Sequence, residues 1–198
     1  MNKKIAILLF ILVMYTVDIF LNCEIMDFFD VITNRHSIRA FKKKDIEEEK
    51  IIKILEAANM APSAGDLQAY EIILIRDGKQ KSAIAKAAGN QDFISEAPVV
   101  IVICANQKRS SAKYGKRGSE LYCINDASIA ASYIELASTA LDLGSVWVGA
   151  FDDNKVAEII KAPNYIKPIA IIPIGYPNEE PYMTPRRDLD DIVHEGKF

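Results

Sequence analysis

Within "TNRHSIRAFKKKD", residues 33–45, the side chains of Arg35, His36, Ser37 and Arg39 alternate with apolar Ile38, Ala40 and Phe41. Two guanidinium groups and a hydroxyl this close together can surround a phosphate. Each guanidinium fork pairs with two phosphate oxygens, and serine adds a further donor. If the segment is extended, Arg35, Ser37 and Arg39 share one face, while Ile38 and Phe41 anchor it. The plainer alternative is a basic connector between helices. Lys42, Lys43 and Lys44 read as solvent-facing.

A second stretch, "PSAGDLQ" at 62–68, combines small residues with hydrogen-bonding groups. Ser63, Asp66 and Gln68 can address the polar edge of a flat heterocycle, and Ala64 with Gly65 allows close backbone approach. A simple helix-to-strand turn would use the same residues. There is no GxGxxG, GxxxxGK[ST] or GxSxG pattern, so the usual dinucleotide, P-loop and hydrolase signatures are missing. Three scattered cysteines and two histidines, His36 and His194, have no metal-binding spacing. Cys104 ends an apolar run and reads as a core residue.

The elements that must position these stretches follow from the hydrophobic pattern. Residues 27–34 form a short amphipathic helix. Another begins at Asp45, with Glu48 completing a capping-box-like start, and stops at Pro62. "YEIILIRD" is a strand, 79–89 a helix ending at Gly89, and "APVVIVICAN" a central strand covered on both faces. "QKRSSAKYGKRG" reads as a polar loop. From Leu121 to Leu143 runs one long buried helix, followed by strand "SVWVGAF" and a helix capped by Asp152 or Asp153 and reaching Lys161. In the last strand, "KPIAIIPIGYP", Pro173 implies a bulge or an edge position. This order predicts an α+β fold, a sheet with helices on both faces.

The chain has 198 residues and a formal charge of -3. Its length suits one domain, and its balance disfavours a general nucleic-acid binder. Local basic clusters on an acidic chain suit a small anionic ligand. Residues 1–25 stand apart: a basic start and a short apolar run interrupted by Asp18. They read either as a membrane anchor or poorly cleaved signal, or as sequence upstream of a true start at Met26. The second reading is preferred, giving an extension at 1–25 and a domain at 26–198.

Taken together, "RHSIRAF", "APSAGDLQAYEI", "LGSVWVGAF" and "IPIGYP" followed by "PRRDLDDIVH" resemble the nitroreductase family of FMN-dependent oxidoreductases, across essentially all of 26–198. The resemblance implies a central mixed β-sheet and a C-terminal tail reaching a partner subunit. It implies FMN as cofactor, NADH or NADPH as co-substrate, and a homodimer with FMN sites at the subunit interface. The expected reaction passes hydride through flavin N5 to a nitroaromatic, quinone or similar small acceptor. A non-catalytic FMN-binding module, ene reduction and dehalogenation are the alternatives.

Carried over residue by residue, Arg35, His36 and Ser37 would grip the FMN phosphate. Arg39 would approach the pyrimidine edge and stabilise the charge that develops there, with no acid/base catalyst among the side chains. Pro62, Ser63, Ala64, Asp66 and Gln68 would serve the neighbouring subunit's cofactor. Gly149 and Ala150 would lie by the flavin ring, and Arg186 or Arg187 would return to the phosphate. The chain departs from the family pattern at Asp66, where asparagine is common, and at Ala69-Tyr70, where Pro-Trp is common. Residues 114–126 form the expected substrate side, and Tyr114 and Tyr122 could stack on an acceptor or simply pack. The same likeness implies a cytoplasmic enzyme, membrane-attached only if residues 1–25 are an anchor.

Overall fold

The structure, a computed structural model, describes residues 26–198. The expectations placed on residues 1–25 lie outside the described residues. The chain separates into two compact units at Thr33/Asn34. In the first, the described residues enter helix α1 (Phe28–Asn34), on which Phe28, Phe29 and Ile32 are exposed.

The second unit is built on a sheet of four strands in the order β1-β2-β4-β3. These are β1 (Tyr70–Ile75), β2 (Val99–Asn106), β3 (Gly144–Ser145) and β4 (Ile166–Gly175). All three ladders are antiparallel, and a parallel bridge from Ser37 to Ser145 makes the pairing mixed. Strand β2 is buried along nearly its whole length, because alternate residues serve two cores. Ile101 and Ile103 pack with helices α2 (Glu48–Asn59) and α6 (Cys123–Ala140). Val100, Val102 and Cys104 pack with α3 (Gly78–Ala87), α4 (Phe93–Glu96) and α7 (Asp153–Ile159) on the other face.

Several sequence expectations change. Helix α2 starts at Glu48, and neither Asp45 nor Glu47 caps it through a side chain. Instead, the charge of Asp45 supports Lys81, whose pKa is lowered by burial. The Glu47 carboxylate accepts a hydrogen bond from the Tyr176 hydroxyl. Gln107–Arg117, expected as a loop, is helix α5, capped by the Asn106 side chain accepting from Arg109 N at 2.9 Å. A π-helical turn, Gly118–Tyr122, links it to α6. The cap of α7 is Asp152, whose carboxylate accepts from Lys155 N at 3.1 Å.

Pro173 lies in an inner strand, and the register shift of β4 falls elsewhere, opposite Ile103/Cys104. Val148 and Ile171 exchange both backbone hydrogen bonds, at 2.9 and 3.0 Å. Continuing that register faces Val146 with Pro173, which has no N–H to give. The expected strand "SVWVGAF" is therefore reduced to Gly144–Ser145 and an isolated bridge at Val148. Among the described residues, no helix is long and apolar enough to cross a membrane.

Candidate functional site

The 35–41 segment is extended along the outer side of β3, where Ile38 N donates to Ser145 O at 3.0 Å. Ile38 and Phe41 are buried, Ser37 and Arg39 exposed, Arg35 and His36 half-buried. The expected anchors hold, although Ile38 and Phe41 are three apart, so strict alternation lapses between them. Glycines make their sockets. A Cβ at Gly144 would come within 2.8 Å of the Ile38 side chain, and one at Gly175 within 2.8 Å of the Phe41 ring.

The chain after β4 fixes the segment from its other side. Lys42 N donates to Tyr176 O at 2.8 Å and Asn178 N to Ala40 O at 2.9 Å. The Glu179 carboxylate accepts from both Arg39 N and Ala40 N. The backbone is thus held while the Arg39 guanidinium makes no ion pair or hydrogen bond among the described residues.

Arg35 reaches helix α6, with Nη1 3.8 Å from Glu135 Oε1. Burial raises the Glu135 pKa, and Arg35 opposes that shift. One edge of the guanidinium faces this carboxyl, leaving other N–H groups for an external anion. Arg35, the Ser37 hydroxyl and an exposed backbone edge fit a phosphate monoester, and the Arg39 guanidinium adds a further positive charge on the segment.

Strand β3 leads to the second part of the site. Gly149 and Ala150 follow Val148 and are exposed. Gln91 Nε2 donates to Ala150 O at 3.3 Å, while the Gly149 N–H makes no hydrogen bond among the described residues. A ring laid against this edge would find a free donor.

The 62–68 loop is organised by a residue that sequence reading missed. Asp126, buried in the first turn of α6, accepts from Ala64 N at 2.9 Å and Ala69 N at 3.3 Å. Ser63 Oγ accepts from Gln68 N at 2.9 Å, and the Gln68 amide donates to Asn59 O and Oδ1, each at 3.0 Å. The Ser63 and Gln68 groups expected at a ligand therefore build the loop itself. Asp66 is exposed at φ 58°, a left-handed conformation that Asn and Asp tolerate better than most residues. It makes no ion pair among the described residues. Beside the loop lies a cavity of about 250 Å³ bounded by Pro62, Ser63, Ala64, Tyr122, Asn125 and Asp126.

Asp126 and Glu135 are nine residues apart on α6. That is two and a half turns, roughly 13 Å along the axis and on opposite sides of the helix. A single chain thus ties the 62–69 loop and the arginine segment to separate places on one helix. Arg186 and Arg187 make their hydrogen bonds within the tail. Arg186 Nη1 donates to Thr184 Oγ1 at 2.7 Å, and Arg187 donates to the Asp191 carbonyl. Around them Tyr182, Met183, Leu189, Ile192 and Val193 are exposed.

Comparison with known proteins places this geometry. The profile described as "Nitroreductase family" matches residues 32–91 and 85–176. An NADH dehydrogenase of Thermus thermophilus is 32% identical over 186 residues, covering 80% of this chain and 91% of the relative. An FMN reductase [NAD(P)H] of Bacillus subtilis is 28% identical over 180 residues, covering 84% and 72%. The solved structure of the NADPH:FMN oxidoreductase from Vibrio harveyi, complexed with NAD+, superposes with a TM-score of 0.80 at 25% identity, covering 86% of this chain and 77% of that one.

Proposed function

The chain belongs to the nitroreductase family of NAD(P)H-dependent flavin oxidoreductases, and from that premise we propose that it reduces nitroaromatics, quinones or similar small acceptors at an FMN shared between two subunits. FMN, when bound, supplies the ring that takes hydride from NAD(P)H and passes electrons to the acceptor. The protein residues bind, orient and tune it. Arg35 and Ser37 hold the phosphate, with His36 beside them. Arg39 sets a positive charge at the pyrimidine edge, and the Gly149 N–H meets the ring.

The single observation that carries this reading is the 37–39 segment lying against β3. Ser37 pairs with Ser145, four residues before Gly149. The Ser37 segment and the free Gly149 N–H thereby lie at the two ends of about 13 Å of chain, which supports their serving one ligand. The separation of the 62–69 loop from that edge favours a second copy of the chain supplying Pro62, Ser63, Ala64, Asp66 and Gln68. Apolar tail residues exposed in one chain favour a partner that covers them, bringing Arg186 or Arg187 to the phosphate. Reliance on NAD(P)H favours a cytoplasmic setting.

The test is an absorbance spectrum of protein purified from Met26, then anaerobic NADPH or NADH addition. Flavin bands that bleach are expected. No flavin after reconstitution with FMN would overturn the reading.

Arg39→Ala should keep FMN better than Arg35→Ala does, because its side chain is not the phosphate anchor. It should also make the flavin harder to reduce, since a positive charge near the pyrimidine edge favours the electron-rich form. A fall of about 30 mV, about 1.4 kcal/mol for two electrons, is a reasonable scale. An unchanged potential in spectroelectrochemistry would remove Arg39 from that role.

A further inference from the structure

Helix α5 and the π-helical turn after it carry a concentrated positive charge. Residues 107–122 hold Lys108, Arg109, Lys113, Lys116 and Arg117 against one acid, Glu120, on a chain whose net charge is -3. Two of the cations are held by oxygen atoms, and a third lies against a tyrosine outside this segment. Arg109 Nε donates to Leu67 O, Lys116 pairs with Glu120 at 3.7 Å, and Lys108 stands 5.4 Å from the Tyr165 ring. Lys113 and Arg117 have no carboxylate partner among the described residues.

Two glycines shape the turn that carries them. Gly115 takes φ 54° and ψ -139°, a combination essentially confined to glycine. Gly118 then packs on the Ser110 carbonyl, where a Cβ would stand 2.5 Å from the oxygen. The reversal places Tyr114 edge-on to Tyr122, with centroids 5.0 Å apart and planes at 82°. Arg117 Nε donates to the Tyr122 hydroxyl at 2.9 Å, and Lys113 Nζ lies 5.3 Å from the Tyr114 ring. The cluster also touches the 62–68 loop. An added Cβ on Gly65 would meet the Tyr114 hydroxyl at 2.3 Å and Lys113 Nζ at 2.5 Å. Tyr122 itself borders the 250 Å³ cavity beside Pro62 and Ser63.

We propose that Lys113 and Arg117, backed by Tyr114 and Tyr122, receive the adenosine 2′-phosphate of NADPH, so that this enzyme prefers NADPH to NADH. The inference rests on the reading above, in which the 62–68 loop borders the flavin. Two cations without a carboxylate partner, each against one of two packed tyrosine rings, match a nucleoside that carries a phosphate monoester one sugar away from its base. That phosphate bears a charge of about -1.5 to -2 near neutrality. NADH offers only a hydroxyl there, so the cations discriminate between the two donors without contributing to the binding of the weaker one. Both side chains are exposed, so screening keeps the effect moderate and sensitive to salt.

The kcat/KM ratio of NADPH to NADH is measured for the FMN-loaded wild type, Lys113→Ala/Arg117→Ala and, as a control for loss of a cation elsewhere, Lys79→Ala on α3. Adenosine 2′,5′-bisphosphate and 5′-AMP are titrated calorimetrically into the same proteins. The wild type should favour NADPH by about tenfold, fading with added salt. The double variant should lose that preference and bind the two adenosine nucleotides equally, while Lys79→Ala behaves as wild type. A wild type that does not favour NADPH, or a ratio unmoved in the double variant, overturns the proposal. So does a double variant impaired only toward a carboxylated nitroaromatic, which would assign the cations to the acceptor. Failure to bind FMN would instead sink the functional reading, and the nucleotide titrations would still judge the cation cluster.

Discussion

Arg35→Ala should purify nearly colourless, with FMN affinity reduced about thirty- to hundredfold. The loss is that of a charge-assisted hydrogen-bond pair to phosphate, about 2–3 kcal/mol. Ser37 and the contacts to the flavin ring remain, so binding should weaken without vanishing. Fluorescence titration of the apoprotein with FMN gives the constant directly. An Arg35→Ala protein that stays yellow with wild-type affinity would show that the phosphate lies elsewhere.

The same substitution has a consequence in the free protein. Glu135 is 8% exposed and loses the guanidinium at 3.8 Å that offsets its burial. A fully buried pair would lose several kcal/mol on such a cut and an exposed pair almost nothing. With Arg35 partly exposed, about 2 kcal/mol is the expected scale. The sign of the pH dependence follows from burial, which already raises the Glu135 pKa. Without Arg35 it rises further, so the folded protein holds the proton more tightly than the unfolded chain does. The instability is therefore full at pH 8 and shrinks as pH falls through the raised pKa, above the ordinary carboxylate range. Adding Glu135→Gln should abolish that pH dependence and restore much of the stability, yet leave FMN binding weak. Restored FMN affinity would instead mean that Glu135, and not phosphate contact, was the reason for Arg35.

What the sequence revealed depended on whether burial left a periodic mark. Strand β2 was legible because both its faces are covered and every position before Asn106 is apolar. The long helix was legible in the same way. Helix α5 was not, because "QKRSSAKYGKR" has no apolar stripe and Gly115 and Gly118 look like loop residues. Its helicity rests on the Asn106 cap and on packing against the following turn. The extended 35–39 edge was legible from its arginine spacing, while its fastening by Glu179 was not, since that contact spans 140 positions. Asp126 and Glu135 did leave a signal. A helix apolar on most sides that still carries two acids must give each of them a partner. Those partners are the 62–69 loop and Arg35.

That rule makes Asp126 the second decisive position. Asp126→Ala should cost about 2–4 kcal/mol, because two backbone N–H groups, Ala64 and Ala69, lose a charged acceptor and Ala69 is fully buried. For a chain of this size that corresponds to a fall of roughly 10 °C in Tm. Asp126→Asn keeps the shape but offers one oxygen where two are used, and it loses the favourable charge in the first turn of α6. It should fall between wild type and alanine. The loop conformation itself depends on the clamp, since Gly65, Asp66 and Gln68 all hold positive φ between the two anchored ends. Freed at Ala64 and Ala69, these strained residues can relax toward ordinary backbone. In a shared site the damage would then reach the partner's cofactor, not the chain's own phosphate grip. Mixed dimers test this directly: one Asp126→Asn subunit paired with one Arg35→Ala subunit. The two lesions fall on the same FMN in such a dimer, leaving the other site intact and about half the wild-type activity. If each chain built its own site, both sites would carry one lesion and the mixed dimer would be as poor as its parents.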